Sequence, residues 1–208
     1  MSSIEQQEKF YARFANESYA KSSDRVKEQD GYVYDSKLSD RRHAVYHNAD
    51  ENKTILGIRG TKTDLSKDSV DDIKTDSSIL IGNLTATKRY KQATDKFEGV
   101  REKYGDSKVS ISAHSLGARI SEEMAARQDG ISEVHSYNPG SFVKDALVDV
   151  DCKYNKSKQC RMRKQRINRY TVEGDSLSIL SHSGKGVKTH RHKRSRKGVN
   201  PHALVNFL

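Results

Sequence analysis

The fold is decided by the stretch Val109-Ser110-Ile111-Ser112-Ala113-His114-Ser115-Leu116-Gly117-Ala118-Arg119-Ile120. It begins with a short β-branched run that is typical of a buried strand, and it leads into an apolar helical pattern that ends near Arg127. Between the two, Ser115 is the centre of a small-x-Ser-x-Gly pattern. A sharp turn from strand to helix brings the residues two before and two after the serine together, which requires small side chains such as Ala113 and Gly117. The stretch therefore predicts a strand, a tight turn that exposes the Ser115 hydroxyl, and a helix.

The rest of the chain alternates between strand and helix patterns. Segments typical of strands occur at 32–34, 43–47, 54–58, 132–137 and 165–172. Helical spacing occurs at 4–21, 85–104 and 117–128, with a helical turn at 68–73 and a last short helix at 202–208. Strand-helix-strand order indicates parallel strands with helices packed on the sheet. The sequence thus predicts an α/β fold with a mostly parallel central sheet flanked by helices.

The length of 208 residues is most simply that of one domain, 1–208, which is large enough to bury a core. Hydrophobic residues make up 33% of the chain and charged residues 32%, so we expect a modest core beneath a heavily charged surface. No run of 18 apolar residues is present, and the N-terminus lacks the features of a secretory signal. We therefore expect a cytoplasmic location by default, with peripheral membrane association or association with a virion as alternatives.

The net charge of +10 is concentrated in one region. Residues 151–200 contain 15 Lys and Arg but only 3 Asp and Glu, whereas the remainder of the chain contains 23 and 25. We expect basic insertions at about 151–165 and 181–199, with the first looping outward and the second mobile. Such asymmetry favours an anionic partner, which is nucleic acid, a phospholipid surface or a polyanionic substrate. A solvated, flexible insertion without a partner explains the charge equally well.

The two cysteines, Cys152 and Cys160, lie inside this basic region. A disulfide that closes a small loop and two thiols in a reducing cytosol are both compatible with their spacing. No histidine lies near them at a spacing typical of zinc sites. The sequence predicts no metal and no cofactor.

Polar residues that carry chemistry follow several predicted strands. Because functional residues of parallel sheets gather past the carboxyl ends of the strands, Thr61, Ser115, Asp175 and His202 are candidates for one site. A serine hydroxyl needs a base within hydrogen-bonding reach, and an acid must orient that base. The order Ser115, Asp175, His202 is the order of nucleophile, acid and base in α/β-hydrolases. The amides of Leu116 and Thr61 are the predicted oxyanion hole.

Other residues compete for the acid and base roles. Asp175 is favoured over Asp149 and Asp151 because it directly follows a strand pattern, although capping a helix that begins at 176 would also explain it. His202 is favoured because apolar residues flank it and can hold it in place, with His182 as the next choice. Histidines in the basic segment are less suitable, since a mobile segment cannot hold a precise orientation.

The motifs together resemble the class 3 (fungal-type) lipase family of the α/β-hydrolase superfamily. Ile58–Thr61 reads Ile-Arg-Gly-Thr, residues 68–73 read Asp-Ser-Val-Asp-Asp-Ile, and Ala113–Gly117 reads Ala-His-Ser-Leu-Gly. Gly174-Asp175 and His202-Ala203-Leu204 match the later Asp and His positions of that family. The resemblance covers roughly residues 10–208. The sequence departs from the family pattern at Ser69, where tryptophan is usual, and at Arg119, where a small residue is usual.

The resemblance implies an α/β-hydrolase fold with Ser115 as nucleophile, Asp175 as acid, His202 as base, and Thr61 and Leu116 as oxyanion hole. The leading hypothesis is a serine ester hydrolase that cleaves a lipid or another acyl ester through an acyl-enzyme. No long apolar lid is evident, which favours substrates other than long-chain triglyceride. The alternative hypothesis is a non-catalytic binding protein with a hydrolase-like scaffold, whose basic region engages nucleic acid, an anionic membrane or a larger assembly.

Overall fold

A mixed β-sheet is the centre of the computed structural model, which describes residues 3–61, 84–140, 152, 154, 156–175, 187–192 and 202–208. Within these ranges, eight strands pair in the order in which they occur along the chain. They are β1 (Glu28–Gln29), β2 (Tyr32–Tyr34), β3 (His43–Asn48), β4 (Lys53–Ile58), β5 (Lys108–His114), β6 (Ile131–Tyr137), β7 (Ile167–Val172) and β8 (Lys188–His192). Strands β1 to β4 pair antiparallel, and β4 to β8 pair parallel. The expected α/β fold is confirmed.

The first three of the following helices, which flank the sheet, lie close to their predicted positions, and the fourth was not predicted. They are α1 (Ser3–Glu17), α2 (Lys88–Tyr104), α3 (Leu116–Arg127) and α4 (Lys158–Arg166), with short 3-10 helices at Leu84–Ala86 and Leu204–Phe207. The hydroxyl of Thr87 caps α2 by accepting a hydrogen bond from the Tyr90 amide at 3.1 Å. Gly105, with φ of 53°, ends α2 in a conformation that favours glycine. The predicted helical turn at 68–73 and the other residues of 62–83 lie outside the described residues.

Strand β5 shows how one strand serves two cores. Val109, Ile111 and Ala113 alternate onto one face of the sheet, where they join the apolar cluster formed with α2 and α3. The residues between them face α1, and the Ser112 hydroxyl donates a hydrogen bond to the Tyr11 carbonyl at 2.6 Å. A second, tyrosine-rich cluster fills this other face, beneath α1 and the final 3-10 helix. The alternation of β5 therefore directs the His114 side chain to the α1 side of the sheet.

The basic C-terminal region differs from expectation where the structure describes it. Residues 158–164, expected to loop outward, and residues 165 and 166, expected to begin a strand, form α4. Lys188–His192, expected to be mobile, pair with β7 as an edge strand. Cys152 and Cys160 form a disulfide, which settles the choice between the two states left open by their spacing. The predicted last helix is shorter than expected, because only Leu204–Phe207 is helical and it is of the 3-10 type.

A buried ion pair joins α3 to β7. Both side chains are nearly fully buried, and the Glu122 carboxylate accepts hydrogen bonds from Arg169 Nε at 2.8 Å and Nη2 at 2.7 Å. The Ser136 hydroxyl of β6 donates to the same carboxylate at 2.7 Å. Burial alone would raise the pKa of Glu122, but the Arg169 guanidinium outweighs that effect and lowers the pKa to about 2. The Glu122 carboxylate is therefore ionised in the folded protein near neutral pH.

We expect Glu122→Gln to destabilise the fold by about 3 kcal/mol at pH 7, because it leaves the Arg169 charge buried beside a neutral group. The folded-state pKa lies below the ordinary value of 4.5, so the contribution of the pair is complete above that pH and declines as the pH falls toward 2. Urea unfolding at pH 7 and pH 3 measures the difference from the unsubstituted protein. Glu98→Gln, on the exposed side of α2, is the control and should change stability by less than about 0.5 kcal/mol. Equal stabilities of the two variants would contradict the role assigned to the pair.

Candidate active site

Ser115 occupies the turn between β5 and α3 in a strained backbone conformation. Its φ of 57° and ψ of −126° lie in a region that non-glycine residues rarely adopt. The Ser115 amide donates a hydrogen bond to the Tyr137 carbonyl of β6 at 3.0 Å, and its carbonyl accepts one from the Arg119 amide at 3.1 Å. These bonds hold the strained residue from both sides. The predicted strand, tight turn and helix are therefore present.

Gly117 must be small for a reason that the sequence pattern does not give. A Cβ at Gly117 would collide with the Ile58 carbonyl, and its next nearest atoms belong to Arg59. Gly117 is therefore small because α3 begins against the end of β4. A Cβ at Gly60 would lie 2.7 Å from the His114 carbonyl and 2.8 Å from Ser115 Cβ. The loop after β4 and the Ser115 turn thus touch backbone to backbone.

The structure brings the three predicted catalytic side chains together. His202 Nε2 lies 2.8 Å from Ser115 Oγ, and His202 Nδ1 lies 2.9 Å from Asp175 Oδ2. The Asp175 side chain is 1% exposed and that of His202 is 17% exposed, so the carboxylate is shielded while the ring remains accessible. In this arrangement the carboxylate accepts a hydrogen bond from the Nδ1–H group, which leaves Nε2 free of a proton and able to accept one from the serine hydroxyl.

Of the two predicted oxyanion-hole residues, Leu116 adjoins Ser115 in the chain and Thr61 adjoins Gly60, the glycine packed against the Ser115 turn. Leu116 is the first residue of α3, where backbone amides have no carbonyl partner within the helix. Thr61 is half-buried and directly follows Gly60, where a Cβ would lie 2.8 Å from Ser115 Cβ. The use of the Leu116 and Thr61 amides as an oxyanion hole stays a prediction.

A hydrogen-bonded chain behind the site was not predicted from the sequence. The Gly60 amide donates to the Tyr19 hydroxyl at 3.0 Å, and that hydroxyl lies 2.8 Å from His114 Nδ1. His114 Nε2 lies 2.7 Å from the His202 carbonyl, which can only accept. A neutral His114 with its proton on Nε2 satisfies every contact: Nε2 donates to His202, and Nδ1 accepts from Tyr19. Tyr19 thereby links the Gly60 loop to the backbone of His202.

The electrostatics of this chain favour that neutral form. Burial lowers the pKa of His114 to about 4, and the neighbouring His202 ring acts in the same direction. The sequence gives one signal for this role, since alternation along β5 sends His114 to the α1 side. It gives none for Tyr19, which lies beyond the end of α1 and reaches the site only through the packing of α1 on the sheet.

Other site types are not formed by the described residues. No group of three or more His, Cys, Asp or Glu side chains among them is arranged to hold a metal ion. Similarly, none of the helices in the described ranges has both the length and the apolar composition needed to cross a membrane.

Comparison with known proteins finds similarity in structure but not in sequence. The sequence matches no protein-family model and no curated protein. The structure is similar to the Lip2 lipase from Yarrowia lipolytica, with 18% identity, a TM-score of 0.55, and coverage of 99% of this chain and 84% of that one. It is also similar to a triacylglycerol lipase from Penicillium expansum, with 13% identity, a TM-score of 0.52, and coverage of 95% and 82%. The chain therefore has the α/β-hydrolase fold of the fungal lipases.

We expect His114 to remain neutral down to about pH 4, with its proton on Nε2. Two-bond ¹H–¹⁵N NMR spectra across a pH series report both the midpoint and the tautomer. Because the folded-state pKa lies below the ordinary 6.5, the neutral ring stabilises the fold fully above pH 6.5, and this contribution is lost as the pH falls toward 4. The urea-unfolded protein is the reference, in which the ring should titrate near 6.5. A midpoint near 6.5 in the folded protein would contradict the buried chain of hydrogen bonds.

Proposed function

We propose that this protein is a serine ester hydrolase that cleaves a lipid or another acyl ester through an acyl-enzyme. The observation that carries the proposal is the position of the His202 ring, which contacts Ser115 Oγ with one nitrogen and Asp175 with the other. A serine is a weak nucleophile at neutral pH unless a base takes its proton, and this ring is within reach to do so. Three side chains that are far apart in the chain thus form the acid–base–nucleophile series of contacts that acyl transfer requires.

The acylation step follows from these contacts. Ser115 Oγ attacks the ester carbonyl carbon as His202 Nε2 takes the hydroxyl proton, and the buried Asp175 carboxylate stabilises the imidazolium that forms. The carbonyl oxygen becomes an oxyanion beside the Leu116 and Thr61 amides. Collapse of the tetrahedral intermediate breaks the ester bond, and His202 gives its proton to the departing alcohol.

Deacylation repeats the chemistry with water. His202 Nε2 takes a proton from a water molecule, whose oxygen attacks the acyl-enzyme carbonyl. The bond between the carbonyl carbon and Ser115 Oγ then breaks, His202 returns the proton to Oγ, and the carboxylic acid leaves. The strained turn supports both steps, because it presents the hydroxyl away from the backbone and next to the first amides of α3.

The substrate class is supported by the fold and by the motifs. Solved structures of the same fold include lipases, one of them a triacylglycerol lipase, and the Ala-His-Ser-Leu-Gly motif resembles that of the same group. Ser69, where the family has tryptophan, leads us to propose a smaller or more polar acyl ester than long-chain triglyceride. The hydrogen-bonded geometry of the three side chains favours this enzyme over a hydrolase-like scaffold that only binds.

We expect Ser115 to react with a fluorophosphonate probe, and we expect the protein to hydrolyse a short-chain p-nitrophenyl ester. Ser115→Ala should abolish labelling, and His202→Ala should reduce the labelling rate and the hydrolysis rate by at least about 10³-fold, because no base then activates the serine. Intact-mass spectrometry measures labelling, and release of nitrophenolate measures turnover.

Ser23→Ala, at an exposed serine far from the turn in sequence, is the matched control and should behave as the unsubstituted protein. Absence of labelling in folded protein, or labelling that persists in His202→Ala at the original rate, would contradict the proposal. The second result would show that the serine is reactive without the histidine.

We expect Tyr19→Phe to lower kcat by about tenfold to a hundredfold with little change in KM, because the loss of one hydroxyl loosens the Gly60 loop and His114 together. The stability change should be only about 1 kcal/mol. Tyr104→Phe is the control, since it also removes a hydroxyl that makes a hydrogen bond, to Asp35, but away from the site. Equal kcat values for the two variants would show that the Tyr19 hydroxyl does not position the active site.

A further inference from the structure

Helix α4 presents a strongly cationic surface to solvent. Lys158, Arg161 and Lys164 recur every three residues along its exposed side, and exposed Lys156 precedes the helix. We call these four residues the basic face. The opposite side of α4 carries Cys160, Met162 and Arg163, which are buried against the rest of the protein. The cations therefore project from a helix whose other side is packed.

Several contacts fix α4 in place. A nine-residue helix is marginal by itself in water, so its order depends on tertiary contacts. The Cys152–Cys160 disulfide ties its first turn to the preceding segment, and the Ser157 hydroxyl accepts a hydrogen bond from the Cys160 amide at 3.3 Å. Arg163 pairs with Glu123 of α3 at 3.3 Å. The cations of the basic face are thus held by an ordered helix and do not belong to a flexible tail.

The basic face lies near the amino ends of the parallel strands, whereas the catalytic residues lie past their carboxyl ends. Lys158 Nζ is 3.3 Å from Asp129 in the turn before β6, and Arg166 Nη1 donates to the Gln128 carbonyl of the same turn at 2.8 Å. Ser115, in contrast, follows the carboxyl end of β5, which pairs parallel with β6. A seven-residue strand spans about 20 Å, and that length separates the two surfaces.

Among the residues that the structure describes, acids balance the charge of this face only in part. Asp129 pairs with Lys158, and both side chains are well exposed, so solvent weakens the pair. Glu123 is engaged by three arginines, Arg119, Arg127 and Arg163. Within the described residues, no salt bridge joins Lys156, Arg161 or Lys164 to a carboxylate. The face therefore attracts an anion that carries several charges.

We propose that the basic face binds the phosphate backbone of duplex nucleic acid without sequence preference. Lysine, arginine and glutamine side chains, which make up the exposed side of α4, are those that contact phosphates. A membrane fits α4 itself less well, because the exposed side of the helix carries no apolar residue to insert between lipids, and the exposed Tyr154 lies before the helix. A bilayer docked on this face would also leave Ser115, at the carboxyl ends of the strands, pointing away from the lipid.

The test compares two triple variants that remove the same charge. One carries Lys156→Gln, Arg161→Gln and Lys164→Gln, and the other carries Lys9→Gln, Lys37→Gln and Lys91→Gln, which are exposed elsewhere. Fluorescence anisotropy of a labelled 20-base-pair DNA duplex, over a series of salt concentrations, gives the affinity and its salt dependence. We expect the basic-face variant to bind at least tenfold more weakly, with a salt slope that falls by about 1 for each phosphate that is no longer neutralised. The control should bind less than threefold more weakly.

Equal losses of affinity in the two variants would overturn the proposal, because net charge alone would then explain binding. It would also be overturned if the unsubstituted protein failed to bind the duplex, or if the basic-face substitutions weakened binding only to vesicles with 30% phosphatidylserine. Hydrolysis of a soluble ester should be unchanged in both variants, since the substituted residues lie away from the catalytic side chains. DNA binding without hydrolysis in the unsubstituted protein would refute the proposed enzyme and leave this inference intact.

Discussion

The close approach of the Ser115 turn to the end of β4 is the constraint on which the rest of the structure depends. Gly60 and Gly117 allow the two backbones to touch, and a side chain at either position would separate them. The positive φ of Ser115 is tolerated because Tyr137 accepts its amide hydrogen bond from the neighbouring strand. Strain at one residue is thus offset by packing on both sides, and the hydroxyl is held where the proposed chemistry needs it.

The side chains of β5 alternate between the two faces of the sheet, and each face stabilises a different part of the site. The apolar residues of β5 fill the core beneath α2 and α3, which fixes the start of α3 and with it the Leu116 amide. Its polar residues face α1, and the last of them, His114, supports the backbone of His202. The segment after α1 supplies Tyr19, so the N-terminal part of the chain belongs to the site although it carries none of the reacting groups.

The sequence predicted most of the sheet, and it predicted that Ser115, Asp175 and His202 would meet, because each follows a strand pattern and parallel strands end at one edge. It did not predict Tyr19 or the contact of Gly117 with β4, since both depend on how separate elements pack. Helix α4 was missed for a related reason. Its sequence is polar almost throughout, so no apolar period marks it, and its stability comes from a disulfide and from arginine contacts with α3.

The same arginine contacts explain how the basic helix α4 packs against the rest of the fold. Glu122 and Glu123 are adjacent on α3. Glu122 forms an ion pair with Arg169 of β7 and accepts a hydrogen bond from Ser136 of β6, and Glu123 forms an ion pair with Arg163 of α4. Two helices and two strands therefore meet at one cluster of charged side chains. Charge that would be costly to bury alone is paired there, and the remaining cations of α4 face outward. Since the parallel strands fix the distance between their two ends, the proposed ester chemistry and the proposed polyanion contact occupy opposite edges and do not compete for the same surface. A partner bound at the basic face would leave the Ser115 edge open to substrate.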